Sequence, residues 1–302
     1  MRSHWSPHFA CLLVLAALSC NEAKDANTSS ADSSPAAAPA DWDVGGQPTA
    51  VLLAGYSVFV AHLGPEGNEP GRPDAWIGSY GPNGQLVDTL VGGLSTPAAL
   101  AAVRDVLYVV EGNQLHGYRI ADGQPSSRIE VSSRSLDAVA PAPEGTLFAA
   151  SADEGQVWRI DPGAPAVVPI ATLPDVTGLA FDRESSRLYF CTRATPTTGG
   201  RLYVLAPEEP EPLPMTDLRG DFRSLTLAGG RLFVSIAKGP NARGGVLALS
   251  MGETPADTAA VVTGIELPGQ VALLGEDLLF TPVTAEGRVA ITRLPSSPSA
   301  AQ

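Results

Sequence analysis

Apolar residues along this chain come in short runs, each broken by Gly, Pro, Asn or Asp, and the runs repeat as a unit. Compare DVLYVVEGNQLHGYRI from Asp105, GTLFAASADEGQVWRI from Gly145, SRLYFCTRATPTTGGRLYVL from Ser186 and GRLFVSIAKGPNARGGVLAL from Gly230. Weaker copies are YSVFVAHLGPEGNEPGRPDAWIGSY from Tyr56 and DLLFTPVTAEGRVAI from Asp277. Each holds an apolar strand with an aromatic residue, a Gly-containing loop and a second strand. Another short apolar strand precedes each copy: AVLLAG, AALAAV, DAVAPA, TGLAFD, SLTLAG and QVALLG. After the second strand comes a turn and a further β-prone piece, such as QLVDTLVGG or SRIEVSS. Beyond the N-terminal leader, no segment sustains the 3.6-residue apolar period that a full helix needs.

Four short strands per unit and six units predict an all-β fold, a six-bladed β-propeller over residues 41–295. Closing so many strands around one axis leaves only short, protected edges. The aromatic column reads Phe59, Tyr108, Phe148, Tyr189, Phe233 and Phe280, at intervals of 49, 40, 41, 44 and 47. Their mean of about 44 lies within the range of a four-stranded blade. Seven blades require units of about 36 residues, shorter than these intervals. The last unit has three clear strands, and the piece around Asp41 to Val44 is expected to supply the fourth.

The strand pairs TGLAFDRESSRLYFCT and GTLFAASADEGQVWRID resemble those of the NHL and gluconolactonase (senescence-marker) propellers, whose units read roughly P-x-G-L-A … G-x-L-Y-V-A-D. The likeness runs through nearly all of residues 41–295 and implies the same six-bladed fold. In the gluconolactonase-like enzymes a divalent metal at the channel mouth is held by a Glu, two Asn and an Asp from different blades. The corresponding inner-strand column here holds Thr49, Ala98, Asp137, Thr177, Arg223 and Gly269. The second-strand column holds His62, Glu111, Ser151, Thr192, Ile236 and Val283. Neither contains Asn, and a hard cation wants several oxygen ligands at once. The hydrolytic activity of that family is therefore not carried over.

The composition adds a location. The chain has 302 residues, with 32 acidic against 19 basic ones, a formal charge of −13. A nucleic-acid binder draws its affinity from the opposite sign, so that class of partner is excluded. Residues 1–19 carry one early Arg and an apolar run over residues 9–18, too short to span a membrane and suited to a cleaved signal peptide. The run ends Ala17-Leu18-Ser19-Cys20, which resembles the bacterial lipoprotein signal and implies cleavage before Cys20 and its lipidation. An ordinary secretory signal with an incidental Cys is the alternative. Residues 21–40 form an Ala/Ser/Pro/Asp tract unable to bury enough surface to order itself, a disordered tether, and 296–302 form a disordered tail. A mature body with Cys191 as its one further thiol has no intrachain disulfide, and Cys191, within LYFC, reads as a core residue. The expected location is the bacterial cell envelope, at the periplasmic face or cell surface.

The candidate chemistry is sparse. His62, Glu111 and Asp137, from consecutive blades, offer an imidazole and two carboxylates that suit a transition metal if they converge. Set against that is a reading in which they are unrelated rim residues, and His116 reads as structural. Long inserts between second and third strands bring Arg193, Lys238 and Arg243 toward the same face, above Arg223, as a candidate anion- or partner-binding sector. No nucleophile elbow, zinc-protease motif or phosphate loop is present. The expectation is a lipid-anchored scaffold that binds an envelope protein or small ligand at its loop-rich face, with no cofactor. The alternative is a diverged metal-dependent lactonase or esterase.

Overall fold

A computed structural model describes residues 40–64, 74–164, 166–207, 209–237, 244–251, 258–263, 268–282 and 288–293. The leader, Cys20, the tether up to residue 39, the C-terminal tail, Lys238, Arg243 and Val283 lie outside the described residues. Within them the strands form six four-stranded antiparallel sheets.

Blade 1 comprises Gln47–Ala54, Ser57–Leu63, Ala75–Tyr80 and Leu86–Leu94. Blade 2 comprises Pro97–Val103, Val106–Glu111, Gln114–Arg119 and Pro125–Glu130. Blade 3 holds Ala138–Pro141, Leu147–Ser151, Gln156–Asp161 and Ala166–Thr172. Blade 4 holds Val176–Asp182, Arg187–Thr192, Leu202–Leu205 and the two-residue Leu213–Pro214. Blade 5 is built from Asp221–Ala228, Arg231–Ala237, Gly245–Ser250 and Thr258–Thr263. Blade 6 is built from Pro268–Leu274, Asp277–Pro282 and Arg288–Arg293. Its outer strand is Ala40–Asp43, from the other end of the chain, paired antiparallel through Trp42 opposite Val289.

The ring is thus closed by an N-terminal strand, and several groups hold that closure. Trp42 packs with Tyr80 and blade 6 residues Leu279 and Val289. Gly84 is left-handed (φ 77), and a Cβ there would fall 2.4 Å from the Trp42 ring, so a larger residue would displace the ring. The Tyr80 hydroxyl donates to the Val44 carbonyl (2.9 Å), anchoring the segment between the closing strand and blade 1.

Between blades the packing follows one rule. The buried aliphatics Val58, Leu107, Leu147, Leu188, Leu232 and Leu278 face the preceding blade. The next residue along, Phe59, Tyr108, Phe148, Tyr189 or Phe233, faces the following blade. In blade 6 that forward-facing position is Leu279, which packs against blade 1. Phe280 instead points back to Phe233 of blade 5. The sixth member of the expected aromatic column is therefore corrected by one residue, and in a strand one residue is the difference between two faces. The same correction places Pro282, not Val283, at the end of the second strand, opposite Pro268.

The inner strands carry a second regularity. In five of six blades the register slips near their start, after Pro48, Pro97, Val176, Phe222 and Pro268. Thr49, Thr177 and Arg223 are each the unpaired extra residue of such a bulge. A bulge re-aims a side chain out of the ladder, and here the side chains concerned ring the channel mouth.

Candidate functional site

Antiparallel pairing puts the start of each inner strand and the end of each second strand at one end of the ring. The central channel below is a cavity of about 400 Å³ lined by inner strands of all six blades, among them Leu52, Leu100, Val139, Leu179, Leu225 and Val271. Its mouth is held by side chain to backbone bonds between blades. The Thr49 hydroxyl donates to Pro97 O (2.7 Å) and the Thr177 hydroxyl to Phe222 O (2.9 Å), each reaching the equivalent carbonyl of the next blade. Gln270 Nε2 reaches past blade 1 to Ala98 O of blade 2 (3.1 Å).

His62, Glu111 and Asp137 each have separate partners. His62 is fully buried, stacked on Trp76 with ring centroids 3.9 Å apart, and its Nε2 lies 3.0 Å from the Tyr80 oxygen. Because the single hydroxyl proton of Tyr80 goes to Val44, the His62 proton belongs on Nε2. Burial pushes the His62 pKa down to about 4, so the ring is neutral in the folded protein near pH 7. Glu111 accepts the Ser95 N–H at Oε1 (2.7 Å), and its Oε2 lies 3.1 Å from Nδ1 of His116. Asp137 accepts the Ala152 N–H (2.7 Å); burial raises its pKa, and this bond and the Arg193 charge pull it partly back. Among the described residues no group of three His, Cys, Asp or Glu forms a metal-binding cluster. His116, without an evident partner in the sequence, is the residue the fold brings to Glu111.

Of the expected cationic sector, Arg193 and Arg223 are described, and each pairs with a carboxylate. Arg193 bonds Asp175 through Nε (3.1 Å) and approaches Asp153 through Nη2 (3.4 Å). The Asp175 hydrogen bond, more than any other cause, raises its pKa further, so it is always charged. Arg223 pairs with Asp221 (2.5 Å), whose other oxygen accepts the Ala194 N–H (3.0 Å). Lys238 and Arg243 lie outside the described residues.

Two arginines that the sequence reading did not single out, Arg201 and Arg219, line one cavity with Arg193. A cavity of about 510 Å³ on blade 4 is lined by Asp175, Thr192, Arg193, Thr195, Thr198, Arg201, Tyr203 and Arg219, among others. Its walls are backbone-tied: Thr192 N–H donates to Arg201 O (3.0 Å), Thr195 N–H to Thr198 O (2.8 Å) and Gly220 N–H to Gly200 O (3.2 Å). A Cβ on Gly200 would sit 2.0 Å from Thr192 O, so this close approach requires glycine. Below the rim, Cys191 is fully buried, and desolvation drives its thiol up to about 12, far from nucleophilic ionisation.

No protein-family model matches the chain, and no curated protein matches it. Solved structures are similar in fold. The PQQ-bound aldose sugar dehydrogenase of Streptomyces coelicolor has a TM-score of 0.64 and 16% identity over 85% of this chain and 97% of its own. A putative oxidoreductase (glucose dehydrogenase) of Thermus thermophilus has a TM-score of 0.61 and 15% identity over 85% of this chain and 100% of its own. Hydrazine synthase of Kuenenia stuttgartiensis has a TM-score of 0.60 and 14% identity, covering 82% of this chain and 76% of its own. At such identities the likeness establishes the six-bladed propeller, and activity is a matter of the site.

Proposed function

We propose that the protein is a lipid-anchored propeller of the bacterial cell envelope, tethered through Cys20, and a non-catalytic module that binds a protein or small ligand at the channel-mouth face. The observation that carries the binding role is the use to which the ionisable groups of that face are put. Glu111, Asp137 and Asp221 each accept a backbone N–H from a loop, and Asp175 and Asp221 each pair with an arginine. Side chains so engaged hold loops in place, and a rigid array of loops on a stable scaffold is a surface suited to recognition. General acid–base or metal chemistry draws on acids and imidazoles that converge on one reacting atom.

Two experiments test this reading. Cys20→Ser is expected to move the protein from the membrane to the soluble fraction; unchanged fractionation refutes the anchor. Purified protein is expected to leave lactones and carboxyl esters intact with Ca²⁺, Mn²⁺ or Zn²⁺ added. Metal-dependent hydrolysis that Glu111→Ala abolishes would overturn the non-catalytic role and favour the lactonase alternative.

A further inference from the structure

We infer that the blade 4 cavity is a binding site for a small organic anion bearing a phosphate or carboxylate group, with Arg201 and Arg219 as its principal ligands. This deepens the binding role proposed above by assigning it a place and a ligand chemistry. In a chain with 32 acidic residues against 19 basic ones, carboxylates are plentiful and several arginines have found one. Arg201 and Arg219 share one cavity, and no hydrogen bond or ion pair of either guanidinium is found among the described residues. The lining thus holds three arginines against the single acidic residue Asp175. Arg193 is neutralised by Asp175 and Asp153 and acts as a wall. The two remaining charges form an electropositive island in an acidic protein, a local field that draws anions from solution.

The surroundings suit such a ligand. A guanidinium presents a planar fork of donors that matches the two oxygens of a carboxylate or phosphate. Thr195 and Thr198 add hydroxyls, bonded to each other at 2.8 Å and able to turn a donor inward. Tyr203 supplies a half-buried aromatic wall. The size, about 510 Å³, takes a molecule well beyond the anionic group itself. The rim bonds and Gly200 hold the walls in place before any ligand arrives, which lowers the ordering cost of binding.

The test is calorimetric titration of inorganic phosphate, and separately citrate, into the purified protein with ionic strength held constant by sodium chloride. One-to-one saturation by either anion is expected, weakened about tenfold or more by Arg201→Gln and by Arg219→Gln. Arg159→Gln, at a separate cavity, is expected to leave affinity unchanged. Arg219 is exposed, so its substitution keeps the test open should the Arg201 variant fold poorly. Heats that never saturate, or affinity equal in all four proteins, overturn the assignment. Those outcomes leave the non-catalytic role untouched, since it is decided by hydrolysis assays, and hydrolysis in turn leaves the anion titration valid.

Discussion

The ends of the second strands in blades 1 and 4 occupy the same register and are put to opposite uses. In blade 1 the residue there is His62, opposite Pro48; in blade 4 it is Thr192, opposite Val176. His62 is sealed under Gly46, stacked on Trp76 and bonded to Tyr80, where it supports ring closure as a neutral ring. Thr192 is followed by Arg193 and a tied loop that opens onto a cavity with three arginines. Both residues are buried and uncharged, but His62 is enclosed by its own blade, whereas the chain beyond Thr192 borders a cavity with three arginines. Hydrophobic packing in the propeller runs between adjacent blades, so a closing contact in blade 1 and the proposed anion site in blade 4 draw on different neighbours.

That contrast can be broken, beginning with the largest effect. Trp42→Ala removes the aromatic that joins the closing strand to Tyr80 and blade 6. It is expected to cost about 3 kcal/mol in urea unfolding, toward the lower end for large aromatic truncations because Trp42 is partly exposed. A loss below about 0.5 kcal/mol would show that closure does not depend on this packing.

The next effect, of similar size, is pH-dependent. His62 binds its proton near pH 4 when folded and near 6.5 when unfolded. The unfolded chain thus takes up the proton first, so this contribution is complete above pH 6.5 and is lost as pH falls toward 4. Between pH 7 and pH 4 the loss is about 3 kcal/mol. Subtracting the unfolding profile of His62→Gln from that of the parent isolates it; parallel profiles would mean that the buried ring does not govern acid sensitivity.

Smaller again is Thr177→Val, which removes the hydroxyl staple to Phe222 while keeping the shape of the bulged residue. A cost of about 1 kcal/mol is expected by thermal or urea unfolding. The smallest effect belongs to the blade 4 rim: Arg219→Gln should change stability by no more than about 0.5 kcal/mol, because its side chain is exposed and unpaired among the described residues. A large loss there would mean that the blade 4 rim contributes to stability as the closing contacts of blade 1 do.

Strand pattern, repeat length and closure are legible in the sequence because local hydrophobic alternation and turn chemistry fall within a few residues of one another. The expectation that residues near Asp41 to Val44 complete the last blade followed from counting its strands, and the pairing of Ala40–Asp43 agrees with it. Phe280 shows the limit of that reading. An aromatic in the right place by spacing lies one position past Leu279, and only the packed neighbours on each face reveal it. The candidate sites show a second limit. Column positions identify side chains near the rim but not the partner each will take, so the sequence left open whether His62, Glu111 and Asp137 converge or are unrelated rim residues; in the fold each makes its own local bonds. Arg201 immediately precedes the third strand of blade 4 and Arg219 lies on the connection to blade 5; neither stands in a column. The sequence by itself determined that six β units would pack around an axis, because burial of alternating apolar residues is a local demand repeated along the chain. Tertiary structure alone decided which charges were cancelled and which were left facing a shared cavity, because ion pairing depends on distances through space between residues the chain order keeps apart.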